Sequence, residues 1–188
     1  MFKRFLTPDA PQETAAEPAP AGSAAETATA RQIVARLDAM PPNEARYLAC
    51  FAYVMSRAAQ ADLKISEEET ALMNRFAVEY GGLDEAQALL VIGMTKIQAT
   101  IEGATEDYVV TREFREISTI EQRIQLLRCC FAIEATDGTI TADESSVVNQ
   151  IARELDIERA DLNRVRDEFH EQLSSVQAVR QVEGGGAA

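Results

Sequence analysis

Apolar residues recur at intervals of three and four along most of the chain, the spacing of an amphipathic helix. The strict alternation of apolar and polar residues that is typical of a half-buried strand is missing between about residues 31 and 179. The pattern therefore predicts an all-α fold, a compact bundle of about seven or eight helices.

Proline, glycine and capping residues predict where individual helices begin and end. A first amphipathic helix starts at Arg31 and stops at Pro41-Pro42, after which Asn43 is expected to cap the second. Asp84 is expected to cap a helix that runs to Gly103, and the last helix should run from about Glu158 to about Gln177. Capping boxes are predicted at three helix starts, with the pairs Ser66 and Glu69, Ser118 and Glu121, and Thr141 and Glu144.

Positions 75 residues apart carry similar residues, which indicates an internal repeat. Asp62 corresponds to Asp137, and the apolar positions on either side of these residues keep the helical stripe in both halves. Examples are Phe51 with Leu126, Met55 with Cys130, Met73 with Val148, and Phe76 with Ile151. We expect two pseudo-repeated helix-corner-helix units whose apolar stripes pack on one another.

The ends of the chain differ in composition from the rest. Residues 7–29 are rich in Ala, Pro, Glu and Thr and offer almost nothing to bury, which is typical of a disordered segment. The predicted organisation is a disordered tail over residues 1–30, a helical domain over 31–179 and a flexible tail over 180–188.

The charge balance restricts the class of partner. With 31 acidic and 18 basic residues, the chain has a net charge of −13 and no basic stripe for nucleic acid or an anionic membrane. No apolar run reaches transmembrane length, and the first residues lack the apolar region of a signal peptide. We therefore expect a cytoplasmic protein without stable membrane insertion that binds another protein.

Candidate catalytic chemistry is sparse. His170 is the only histidine, so neither a His-based zinc cluster nor a Ser-His-Asp triad is indicated. Cys50, Cys129 and Cys130 form no CxxC pair, and Cys130 lies on the apolar stripe, which favours packing over reactivity. The sequence predicts a protein that is not an enzyme.

Two acidic stretches carry the candidate site, AQADLKISEEE at residues 59–69 and EATDGTITADE at 134–144. Their carboxylates and hydroxyls suit a hard cation such as Ca²⁺ or Mg²⁺, although Glu144 follows Asp137 by seven positions and not by the eleven of an EF-hand. The same residues also suit a helix end and the cap of the next helix. A weak divalent-cation site and a purely structural corner both remain open.

These stretches resemble the tellurite-resistance TerB family. The motifs are A-x-A-D-x-x-I-S-x-x-E at residues 59–69 and A-T-D-G-T-I-T-A-D-E at 135–144, within a similarity from about Glu44 to Phe169 that also resembles the N-terminal domain of the co-chaperone DjlA. The resemblance implies an all-helical module linked to stress response, without a known reaction. It also implies a metal site near the acidic corners, which places Asp62, Glu69, Asp137 and Glu144 as candidate ligands.

The function predicted from the sequence is thus a non-enzymatic TerB-like module that binds protein, with a weak Ca²⁺ or Mg²⁺ site at its acidic corners. The alternative is an interaction domain without metal whose corners serve only as helix caps.

Overall fold

The computed structural model describes residues 21–59, 67–99 and 107–185. Within these ranges the chain forms nine α-helices and no strand, apart from an isolated bridge between Ile140 and Leu173. The helices are α1 (Ala21–Asp38), α2 (Pro42–Ala58), α3 (Glu67–Glu79), α4 (Glu85–Ala99), α5 (Asp107–Ile117), α6 (Ile120–Glu134), α7 (Ala142–Glu154), α8 (Arg159–Glu168) and α9 (Ser174–Gly185), with a 3₁₀ turn (His170–Gln172) before α9. The predicted all-α fold is confirmed.

Helix α2 lies at the centre of the bundle. It packs against α1, α4, α5, α6 and α7, and its Phe51, Ala52, Val54 and Met55 are fully buried. Phe51 and Tyr47 both contact the ring of Phe114 on α5, with ring centroids 6.1 and 5.2 Å apart. This aromatic contact fixes α5 against the central helix.

A buried ion pair joins three of the helices. Arg57 of α2 donates to Glu154 of α7 over 2.6 Å, and the two side chains are only 6% and 11% exposed. Thr111 of α5 and Gln150 also donate to the Glu154 carboxylate, over 2.8 and 2.9 Å. Burial on its own would raise the pKa of Glu154, but these donors and the Arg57 charge outweigh it and lower that pKa below its ordinary value.

The second half of the bundle is held together by α6. This helix packs on α3, α7 and α8, and Phe131 stacks on Phe169 with ring centroids 5.6 Å apart. Some positions predicted to correspond across the repeat are buried in both halves, as at Ala77 and Ala152, whereas Phe76 is only partly buried and its counterpart Ile151 is fully buried. The repeat itself stays a prediction.

Two of the predicted caps are wrong by one residue or more. Helix α2 begins at Pro42 with Pro41 before it and no side-chain cap, because a proline in the first turn has no N–H that needs a partner, so Asn43 lies inside the helix. At α6 the capping box is Thr119 with Gln122, since the Ser118 hydroxyl instead donates back to the Phe114 carbonyl at the end of α5. Ser66 lies outside the described residues.

Other helix boundaries agree with those predicted from the sequence or lie beyond them. Asp84 caps α4 by accepting from the Gln87 amide over 2.8 Å, and Gly82 has the positive φ of a helix end, 66°. Helix α1 begins at Ala21 and not at Arg31. The predicted end of the α4 helix, Gly103, lies outside the described residues.

The last predicted helix is broken in two. A 3₁₀ turn separates α8 from α9, and Leu173 after it is extended, with φ −65° and ψ 122°. At this break the Gln172 carbonyl and the Ser174 amide bond to the backbone of Ile140 and not to neighbouring helical turns. The helix expected from about Glu158 to about Gln177 is therefore α8, a turn and the start of α9.

Candidate functional site

The second acidic corner connects α6 to α7 through residues 135–141. Gly138 has φ 90°, a conformation that other residues adopt only with strain, and so it allows the chain to reverse here. Thr141 and Glu144 form the predicted capping box, in which Glu144 Oε2 accepts from the Thr141 amide over 2.6 Å. Asp137 Oδ1 accepts from the Thr139 amide over 2.9 Å, which closes a local turn.

The C-terminal segment, residues 172–177, forms hydrogen bonds with this corner. The Ile140 amide donates to the Gln172 carbonyl over 2.7 Å, and the Ser174 amide donates to the Ile140 carbonyl over 2.9 Å. The side chain of Gln177 on α9 donates to the Gly138 carbonyl over 3.0 Å and accepts from the Thr139 hydroxyl over 3.1 Å. The corner is therefore held by hydrogen bonds within its own residues and by hydrogen bonds from the C-terminal segment.

Glu134, the last residue of α6, is a buried acid at the base of the corner. It is 5% exposed and shares a side-chain hydrogen bond with Glu144. Burial raises its pKa most, and the Glu144 charge, that hydrogen bond and the Asp137 charge add to the effect, bringing the pKa to about 8. At neutral pH Glu134 is therefore mainly protonated and bonds to the Glu144 carboxylate.

The predicted metal ligands are thus only partly brought together. Asp137 and Glu144 lie at one corner with Glu134, whereas Asp62 lies outside the described residues and only the backbone of Glu69 is described, in α3. Over residues 21–59, 67–99 and 107–185 no three His, Cys, Asp or Glu side chains are arranged to hold a metal ion. In this structure Asp137 and Glu144 each accept a backbone hydrogen bond at the corner.

The cysteines are packing residues in this structure. Cys50, Cys129 and Cys130 are buried and unpaired, and burial raises the pKa of each thiol, that of Cys130 to about 12. The Cys129 thiol donates to the Phe76 carbonyl over 3.5 Å. Buried thiols with raised pKa values are poor nucleophiles and poor metal ligands.

A groove between α3 and α4 is a second candidate site. Its volume is about 380 Å³, and Val78 and Leu89 on its sides are 40% and 56% exposed. Glu79 and Glu85 add acidic groups to its lining. The carboxamide oxygen of Asn74 is buried at the groove and accepts no hydrogen bond from the described part of the chain.

Sequence reasoning missed both Glu134 and this groove. Glu134 ends an otherwise apolar run, CCFAIE, and an acid in such a run is the signal that could have singled it out. Leu89 belongs to a run that is apolar on all faces, ALLVIGM, so the sequence could not show which of its residues stays exposed.

The fold and the corner define an all-α protein with an acidic turn capped between two of its helices. Comparison with protein families adds the particular family: residues 47–167, more than half of the chain, match the model described as tellurite resistance protein TerB. The chain belongs to the TerB family. No curated protein and no solved structure matched the chain. Among the helices that the structure describes, none is both long and apolar enough to cross a membrane.

Proposed function

We propose that this TerB-family chain is a non-enzymatic module that binds a protein partner through the α3–α4 groove. The observation that carries the proposal is the pair Val78 and Leu89, whose exposed apolar side chains border a concave surface. Large apolar side chains that stay exposed around a concavity are typical of interaction sites. We further propose that the protein acts in the cytoplasm in a stress-associated role.

The groove favours a partner segment that is both apolar and basic. Glu79 and Glu85 supply two negative charges beside the apolar side chains and Arg75 supplies one positive charge, while the whole chain carries a net charge of −13. A short helix or extended segment with one large apolar side chain next to a basic one meets these conditions.

Replacing Val78 and Leu89 together by glutamate is expected to abolish partner binding without unfolding the protein. Both side chains are already substantially exposed, so the core loses little, while the two new charges make the apolar contact unfavourable. We expect quantitative affinity purification from native cells to recover the partner at least about tenfold less well with this variant.

Val179→Glu is the matched control, because Val179 is 57% exposed on α9, another helix. Its recovered proteins should equal those of the unmodified chain. If the groove variant and the control recover the same proteins in the same amounts, the groove does not bind the partner.

A second function that we propose is weak binding of a divalent cation at the corner between α6 and α7. It is supported by three carboxyl groups, Glu134, Asp137 and Glu144, that are close enough to interact electrostatically. Binding would require Glu134 to lose its proton. The rival interpretation, corners that act only as caps, is supported by the bonds that Asp137 and Glu144 already make.

The double variant Asp137→Asn and Glu144→Gln separates the two interpretations. Asparagine and glutamine retain the acceptor oxygens of the turn and of the capping box but remove both charges. Calorimetric titration with Ca²⁺ or Mg²⁺ should show a dissociation constant on the order of 1 mM for the unmodified protein and none for the variant.

Protonation of Glu134 gives this test a second readout. Since the pKa of Glu134 is about 8, cation binding should release a proton and tighten between about pH 6 and about pH 9. An unmodified protein that shows no binding heat and no shift in melting temperature with either ion would leave the corner as a structural element only.

A further inference from the structure

A cleft on the other side of the corner is lined by arginines in this acidic protein. It lies among α7, α8 and the first residues of α9 and has a volume of about 720 Å³. Arg153, Arg159 and Arg166 line it, and its lining includes no aspartate or glutamate from residues 21–59, 67–99 and 107–185. A local charge of three positive groups contrasts with the net charge of −13 for the chain.

The three arginines make no ion pair within the described part of the chain. Among the described residues no carboxylate pairs with Arg153, Arg159 or Arg166, although other arginines such as Arg164 on α8 do pair with acids. Arg166 instead donates to two neutral acceptors, the Asn163 oxygen over 2.8 Å and the Asn149 oxygen. These bonds hold the guanidinium of Arg166, which is half-buried, at the cleft with its charge uncompensated.

The rest of the lining adds two further properties. Hydroxyl groups are present at Ser145, Ser174 and Ser175, and an aliphatic wall is formed by Ile157, Leu162 and Leu173. No aromatic side chain among the described residues lines the cleft, so these residues offer a flat nucleobase no ring on which to stack. The volume is that of an ordinary small-molecule site.

From this arrangement we propose that the cleft binds a small phosphate monoester with an aliphatic part. Three guanidinium groups carry more than enough positive charge to offset the double negative charge of a phosphate monoester, and their planar donors suit its oxygens. The aliphatic wall covers the remainder of the ligand. The site is separate from the partner groove and does not depend on the function proposed above.

Hexyl phosphate is a suitable probe, with hexanol, hexanoate and inorganic phosphate as comparisons. Calorimetry on the full chain should show saturable binding of hexyl phosphate, weaker binding of hexanoate and of inorganic phosphate, and none of hexanol. Replacing Arg159 by glutamine should weaken hexyl phosphate binding about tenfold, which is the usual effect of losing one charge-assisted hydrogen bond.

Arg164→Gln is the control, since Arg164 lies on the same helix but pairs with Asp161 over 2.7 Å and does not line the cleft. Its affinity should equal that of the unmodified protein. Arg153→Gln is a second exposed replacement that leaves the Arg166 bonds intact and should also weaken binding. The proposal is overturned if hexyl phosphate does not bind, or if the Arg159 and Arg164 variants lose affinity equally.

Discussion

The variant Arg57→Met is expected to lose ~3 kcal/mol or more of unfolding free energy, because it leaves the Glu154 carboxylate buried without its cationic partner. Of its donors in the described part of the chain, the carboxylate would retain the neutral pair Thr111 and Gln150. Since Arg57, Thr111 and Glu154 lie on three different helices, the loss should appear as one cooperative destabilisation. Urea unfolding followed by circular dichroism measures it.

Two further variants test whether the unpaired charge is the cause. The double variant Arg57→Met and Glu154→Leu should recover much of the stability, because a well-packed apolar pair replaces the ions. In the exposed pair Arg112 and Glu116, with side chains 55% and 59% exposed, Arg112→Met should change stability by less than ~0.5 kcal/mol. A double variant no more stable than Arg57→Met alone would show that the unpaired charge is not what destabilises the protein.

Raising the pH from about 5 to about 8 is expected to destabilise the protein through Glu134. In the folded state the pKa of this residue is about 8, above its ordinary value of 4.5, so over this range the folded chain holds a proton that the unfolded chain has released. The stabilisation is fully present below the ordinary pKa and is lost as the pH rises through the folded one. Through this single group the free energy of unfolding cannot fall by more than ~1.4 kcal/mol per pH unit.

Glu134→Gln isolates this contribution, since glutamine keeps a hydrogen-bond donor but does not titrate. The difference in unfolding free energy between the two proteins should shift in favour of the variant as the pH rises from about 5 to about 8. Glu154 does not interfere, because its lowered pKa makes its contribution disappear only in acid. A difference that stays constant over this range would show that Glu134 is not protonated in the folded chain.

The sequence predicts helices well here because their signals are local. Spacing of apolar residues and the Thr141–Glu144 box depend on neighbours within one turn, and both appear in the structure as expected. The break after α8 could not be predicted from neighbouring residues. It depends on Ile140, a residue more than thirty positions earlier whose backbone bonds to residues 172 and 174.

The site shows the same division between local and distant signals. Asp137 and Glu144 could be singled out because they flank a turn glycine at short spacing. The raised pKa of Glu134 depends on burial by the bundle and on a carboxylate ten positions later. The arginine cleft collects residues from three helices, and no sequence motif joins them.

The hydrogen bonds from the C-terminal segment to the corner decide where the chain can be shortened without loosening the corner. The region that matches the TerB family ends at residue 167, whereas the bonds that close the corner come from Gln172, Ser174 and Gln177. A fragment that ends at residue 167 would contain every acid of the corner but none of the three residues whose hydrogen bonds hold it in place. Cation binding measured in such a fragment would apply to a turn that lacks these hydrogen bonds. The corner should therefore be assayed in chains that extend through α9.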